Sequence, residues 1–238
     1  MMDLASKADA KPRGRPGGAE SRARILECAG QLFAAQGFDG VTTRELARDA
    51  AVNISAITYY FDGKEGLYHA VLRQLVEETA PMFDPMVDRL ETGVIEAGSD
   101  PQKLASLLGW YIDTLLSGIL MDPKIRWQMP LVMREFQQPS AGFELLFAER
   151  INPMHNAIAK LVGAARGLDP TSTEAILITA TIIGQCMAFG FARAVIFART
   201  GWQDYTDENR RQVIKTVTTG ILGMLGLPPI VKEEGGRP

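Results

Sequence analysis

Apolar side chains recur every three or four residues through most of this chain, the spacing of amphipathic helices, with no convincing alternating strand pattern and no internal repeat. Ile25, Leu26, Ala29, Leu32 and Phe33 predict a helix over about 20–36, stopped by Gly37. A second helix begins after Thr42, where Thr42 and Glu45 have capping-box spacing, and reaches Ala50. Beyond the turn Ala51-Val52-Asn53 a third covers about 54–60, with Asn53 as its N-cap. A fourth starts near Lys64 and runs through Leu67, Val71 and Leu75 towards Pro81. Further helices are predicted near 101–121 and near 123–137, the latter with Asp122 as N-cap and Pro123 in its first position. Pro153 divides the next segment into 143–151 and about 153–166. A long helix over about 173–197 opens on a Thr171/Glu174 capping box, and the last, about 207–225, is capped by Thr206 and ended by Gly226, Pro228 and Pro229. The fold class is therefore all-α.

The 238 residues are 46% hydrophobic, enough for two helical domains or one large one with a sizeable core. The net charge of −3 excludes a uniformly basic protein, but the charge is uneven. Residues 11–24 hold Lys11, Arg13, Arg15, Arg22 and Arg24 against the single acid Glu20, whereas from residue 71 onward 16 basic residues face 19 acidic ones. Such a local patch suffices for phosphates. Cys28 and Cys186 stand far apart in apolar helical contexts without CxxC or CxxH spacing, which reads as two reduced thiols, and no metal or cofactor is expected. Residues 1–10 have no apolar run of a secretory signal, so a cytoplasmic, nucleoid-associated protein is expected. The 18 residues from Ala175 to Ala192 carry no charge, but they include Thr179, Thr181, Gln185, Gly184 and Gly190 and lack a basic flank. They read as a buried helix, with no membrane partner.

The informative stretch is 42–67. Two short helices joined by a three-residue turn and packed on a longer first helix form the helix-turn-helix plan, whose second helix enters the DNA major groove. Ser55, Thr58 and Tyr59 can face outward while Ile57, Tyr60 and Phe61 lock inward, although Tyr60 reads equally as a contact. Lys64 sits at the start of the fourth helix, where free N–H groups favour a phosphate. Over about residues 20–70 the sequence resembles the TetR family of regulators. The motifs are Thr42-Thr43-Arg44-Glu45-Leu46-Ala47, Val52 in the turn, Tyr59-Tyr60-Phe61, and Lys64-Glu65 with Leu67. The family usually has Gly where this chain has Ala51, which implies a slightly different turn. The resemblance implies phosphate contacts by Thr43, Arg44 and Lys64. It places Asn53, Ser55, Ala56, Thr58, Tyr59 and Tyr60 where bases or backbone are touched. The stretches 53–68 and 182–202 also resemble the CecR-type branch, linked to transport and drug-sensitivity genes. The segment from Lys11 to Pro16 holds the Arg-Gly-Arg-Pro core of an AT-hook, so Arg13 and Arg15 either enter the minor groove or belong to a solvated basic tail.

The C-terminal half is expected to dimerise and to sense. Ala180, Gly184, Ala188 and Ala192 recur every four residues and make a ridge that lets another helix approach closely. With Val213, Val217, Gly220, Ile221 and Met224 of the final helix they would form half of a four-helix homodimer interface. The long helix is expected to be buried on nearly all sides. The middle helices are rich in Trp, Met and Phe. Most of these must be core, but Trp110, Met129, Met133 and Phe136, with His155 and Gln185 as polar groups, are the candidate lining of a pocket for a small apolar or aromatic effector. No catalytic constellation or phosphate loop occurs, and an enzyme is not expected. The expected organisation is a disordered basic arm (1–18), a DNA-binding domain (19–68), an effector-binding and dimerisation bundle (69–228) and a flexible tail (229–238). The function so read is a ligand-responsive repressor of transport or drug-resistance genes, bound as a dimer to a palindromic double-stranded operator. Two other readings compete: an architectural DNA-binding protein whose solid C-terminal half binds a protein, and an enzyme with His155 held by a carboxylate.

Overall fold

In the computed structural model, which describes residues 17–230, every regular element is helical. α1 (Gly17–Gly40) takes Gly17 and Gly18, assigned above to the arm, into its first turn. Its inner stripe is Ile25, Leu26, Ala29 and Phe33, and its path breaks at Gly37, with φ 78°. The positive φ favours glycine at this position, and the Arg134 guanidinium lies against it, 2.5 Å from where a Cβ would stand.

α2 (Thr43–Asp49) has both halves of its capping box. The Glu45 N–H donates to Thr42 Oγ1 at 3.2 Å, and the Thr42 N–H donates to Glu45 Oε2 at 2.8 Å. It ends in a Schellman motif, with Val52 N–H on Ala47 O at 2.9 Å and Ala51 N–H on Arg48 O at 3.1 Å. Ala51 is left-handed, φ 51°. The turn thus holds a left-handed residue even though that residue is alanine. Alanine takes the conformation that suits glycine, at a cost of about 1–2 kcal/mol. α3 (Ile54–Phe61) is capped by Asn53, whose Oδ1 accepts the Ser55 N–H at 2.9 Å.

α4 (Lys64–Ala97) is 34 residues long and passes through Pro81 and Pro85, where the sequence predicted an end. Both prolines lie on the exposed face, where water can serve the carbonyls they leave free, while Val76, Thr79, Met86 and Leu90 hold the inner face in the core. α5 (Pro101–Met121) and α6 (Pro123–Gln137) have the predicted bounds, and Asp122 caps α6. α7 (Ala141–Leu146) joins α8 (Asn152–Arg166) through a π-helical turn at Phe147–Ile151. The wider turn lets the chain pass Pro153 without the predicted gap. α9 (Thr173–Phe191) is capped by Ser172, not Thr171, because Asp169 Oδ1 already accepts both the N–H and the hydroxyl of Thr171 at 2.8 Å. The predicted long helix stops at Ala192, whose φ −89° and ψ 17° are not helical, and there the Tyr205 hydroxyl donates to the Phe189 carbonyl at 2.9 Å; α10 (Arg193–Thr200) follows. α11 (Asp207–Leu225) has the predicted bounds and its Thr206 cap.

Two cores result. One joins α4, α5, α8, α9 and α11 around Leu90, Leu108, Ile112, Ile158 and Ile182. The other fills the head formed by α1, α2, α3 and the start of α4, and it includes Leu131 of α6 and Leu146 of α7. α6 thus belongs to both halves of the molecule.

Candidate functional site

The outer face of α3 is built by what faces inward. Ile57 and Phe61 are buried where α3 packs on α2 and α4, so Ser55, Thr58 and Tyr59 point outward, Tyr59 being 82% exposed. Asn53 is exposed but committed, since its Oδ1 accepts from both the N–H and the hydroxyl of Ser55 at 2.9 Å. Ala56 and Tyr60 are half-buried and pack on the head core, with the Tyr60 ring edge-on to Tyr59 at 5.0 Å. Arg44 is exposed and Thr43 half-buried at the start of α2. Lys64 places its Nζ 4.2 Å from the centre of the Phe38 ring. Gly63 gives the first turn of α4 no side-chain cap, so the N–H groups beside Lys64 stay open. Arg24, read above only as part of the basic patch, donates from Nε to the Ala50 carbonyl at 2.9 Å and ties α1 to the end of α2. Arg13 and Arg15 lie outside the described residues.

Between α4, α5, α6, α8 and α9 is a cavity of about 150 Å3. Of the predicted lining, Met129, Phe136 and His155 reach it. Trp110, Met133 and Gln185 do not. Trp110 instead packs beneath the Arg89 guanidinium at 4.0 Å, and Met133 and Gln185 stand on faces of α6 and α9 turned away from the cavity. Sequence reasoning missed Gln128, Tyr111 and Arg150 on its wall. The signal for Gln128 was its spacing with Leu131 and Glu135, which makes a buried stripe with two polar members. Burial lowers the His155 pKa below the usual 6.5, which keeps the ring neutral at pH 7. Glu135 closes the stripe at the junction with the head. Its carboxylate accepts the Tyr68 hydroxyl at 2.6 Å and the Ser140 N–H and hydroxyl at 3.0 and 2.9 Å. Burial and that carboxylate push the Tyr68 phenol well above its ordinary pKa.

α9 is not buried on nearly all sides by its own chain, as was expected of the long helix, and the ridge lies on its open side. Ala180 and Gly184 are exposed, and a Cβ added at Gly184 or Gly220 would meet nothing within 4 Å. Leu177 and Phe191 of α9 and Val195 of α10 are each about 60% exposed. Val213 and Val217, assigned above to the interface, instead face inward into the core with α5, because α11 turns that stripe towards its own chain. Met224 is half-buried against the same core. α5 and α9 are both long and apolar enough to cross a membrane; 56% of the apolar window of α5 is buried inside the fold, but only 22% of that of α9. No cluster of three or more metal-ligating side chains occurs among the described residues.

Residues 25–71, the head just described, match the family of bacterial regulatory proteins named for TetR, and residues 105–226 match the C-terminal domain of the HTH-type transcriptional dual regulator CecR. The chain belongs to the TetR family, in its CecR-type branch. The HTH-type transcriptional dual regulator CecR of Shigella flexneri is 29% identical over 86% of this chain and 91% of its own length. The regulator RutR of Escherichia coli is 42% identical over 53 residues, 22% of this chain and 25% of RutR. Among solved structures, a transcriptional regulator from Pseudomonas aeruginosa superposes with a TM-score of 0.60 at 14% identity, covering 89% of this chain and 93% of that one. A Clostridium perfringens protein described as a fatty acid metabolism regulator gives 0.57 at 18%, covering 84% and 97%. At these identities the structures speak for the TetR-family fold alone. The chain is a transcriptional regulator of that family.

Proposed function

We propose that this regulator is a ligand-responsive repressor that binds a palindromic operator as a homodimer in the bacterial cytoplasm and controls transport or drug-resistance genes. The observation that carries the reading is the outer face of α3, where Tyr59 stands almost free of its own chain among Asn53, Ser55 and Thr58. Side chains of that type at the start of a short exposed helix suit base edges in a major groove. Arg44, Thr43, Lys64 and the open N–H groups at the start of α4 suit the flanking phosphates, and Arg13 and Arg15 suit an adjacent minor groove. One such helix reads too few base pairs for specificity, and the exposed ridge of α9 supports pairing with a second copy. The cavity supports a small effector over the architectural reading, which required a solid middle domain. The enzyme reading finds no support at His155, which lines the cavity with no hydrogen-bonded carboxylate among the described residues. Effector binding would favour a dimer with altered spacing of the two α3 helices, α4 and α6 carrying the shift. Repression follows where the operator overlaps a promoter.

Operator titrations at several salt concentrations test this. Tyr59→Ala is expected to cost about 1–3 kcal/mol and to relax sequence preference. Lys64→Ala should weaken binding to all sequences and lower the salt slope by about 0.9. Unchanged binding by both folded variants overturns the reading.

A further inference from the structure

The wall of the cavity says what kind of molecule it suits. Most of it is apolar, with Met129, Phe136 and Met187 contributing. Of five buried side-chain polar atoms without a hydrogen-bond partner among the described residues, two belong to this wall. Gln128 is 3% exposed; its Nε2 donates to Glu78 Oε2 at 2.8 Å, and its Oε1 accepts nothing. Tyr111 is 1% exposed, and its hydroxyl is unpaired. Buried polar atoms are ordinarily paired, so two orphans on one cavity mark places that an occupant completes.

The charged groups point the other way. Arg150 is fully engaged: Nη1 holds Asp84 at 3.0 Å and the Glu149 carbonyl at 2.7 Å, Nε meets the Thr79 hydroxyl at 3.4 Å, and Nη2 donates to the Val76 carbonyl. Glu78 lies behind Gln128, outside the lining of the cavity, and accepts from Gln128 and, at 2.7 Å, from Gln74. His155 is uncharged at neutral pH. A charged occupant would therefore be desolvated without a free counter-ion. Size narrows the choice further: an apolar protein cavity of about 150 Å3 is known to take benzene.

We propose that the cavity takes an uncharged molecule of about one substituted aromatic ring, which donates a hydrogen bond to Gln128 Oε1 and pairs with the Tyr111 hydroxyl. The inference rests on reading this cavity as the effector site. A long-chain carboxylate meets neither condition.

Calorimetric titration of the full-length protein with benzamide, benzoate, benzamidinium and toluene tests it, since the first three share one shape and differ in charge. Benzamide is expected to bind at least about tenfold more tightly than either ion. Tyr111→Phe and Gln128→Leu should each weaken benzamide about 5- to 10-fold and leave toluene unchanged. Should Gln128→Leu fail to fold, Tyr111→Phe, which removes one oxygen, decides. Equal or tighter binding of an ion, no benzamide binding at millimolar concentration, or equal binding of benzamide to wild type and Tyr111→Phe overturns the proposal. Operator release, read on the same samples, separates the two readings. Benzamide binding in the expected order without any effect on the operator removes the effector role and leaves the ligand class. Release by a charged compound whose affinity falls in Gln128→Leu and Tyr111→Phe removes the ligand class and leaves the effector role.

Discussion

α3 and α9 both present large side chains to solvent, but the surroundings differ. Tyr59 stands on a helix whose N-cap and inner face are served within the head and whose Thr58 carbonyl accepts the Asp62 N–H, and beside the half-exposed Ile54 its exposed neighbours Asn53, Ser55 and Thr58 are polar. On α9 only Ala175, Thr179, Ile182 and Cys186 are buried, while Ile176, Leu177, Ala180, Gly184 and Phe191 lie open or partly open over several turns. A single aromatic in a polar setting fits a polar, charged partner. A continuous apolar strip with small residues fits another helix, and contiguous exposed apolar surface of that kind is uncommon on a chain without a partner. α3 is thus completed by bonds within the head, whereas α9 keeps an apolar face that its own chain leaves uncovered.

Four changes would break or sharpen that contrast. The largest effect is expected where the body reaches into the head. Glu135→Leu leaves the Tyr68 hydroxyl buried and unpaired, at about 1–3 kcal/mol, and removes the acceptor of the more exposed Ser140 N–H. Chemical denaturation should show that loss, and Glu135→Gln should recover most of it; an unperturbed Glu135→Leu would mean that water serves both groups. Next, Gly184→Leu meets nothing inside the chain, so the monomer should keep its stability while the dimer loses about 1–3 kcal/mol by overpacking. Sedimentation velocity would reveal a shift towards monomer and operator affinity would fall with it, whereas an intact dimer would remove this face from the interface. Within the head, Thr42→Ala deletes the capping box and should cost about 1 kcal/mol. A melt of the full-length protein measures it, and no change would show that the cap is redundant to tertiary packing. The smallest change has the opposite sign. Ala51→Gly relieves the left-handed alanine and should stabilise by up to about 1 kcal/mol, the unfolded-state entropy of glycine offsetting part of the gain. Destabilisation would show that the Ala51 methyl is worth more than the strain.

The reach of each contact decides what could be read from the residues alone. Thr42, Glu45, Asn53, Asp122 and Thr206 bond within three residues of themselves, so their caps were visible as spacing. Thr171 failed as a cap because Asp169 took it, a competition between two local bonds that spacing does not rank. α4 outlasts Pro81 and Pro85, and α9 ends at Ala192, where distant segments meet them: a core along the inner face of α4 in the first case, the Tyr205 hydroxyl in the second. For the site, outward positions on α3 followed from the inward ones. Met129, Phe136 and His155 followed from composition on the middle helices. The importance of Gln128 and Tyr111 did not, because it lies in the partners they lack.

The contribution of Leu131 and Leu146 to the head core bears on how such regulators exchange parts. A graft cut after residue 68 would carry away Gly37 without the Arg134 that lies against it, and Tyr68 without Glu135. The transplanted head would arrive with a hole in its floor and an orphaned phenol. The natural seam for recombination therefore does not follow the chain. It runs around α6 and α7, so a donor head needs either those helices or a recipient that already presents a leucine, a guanidinium and a carboxylate at the same heights.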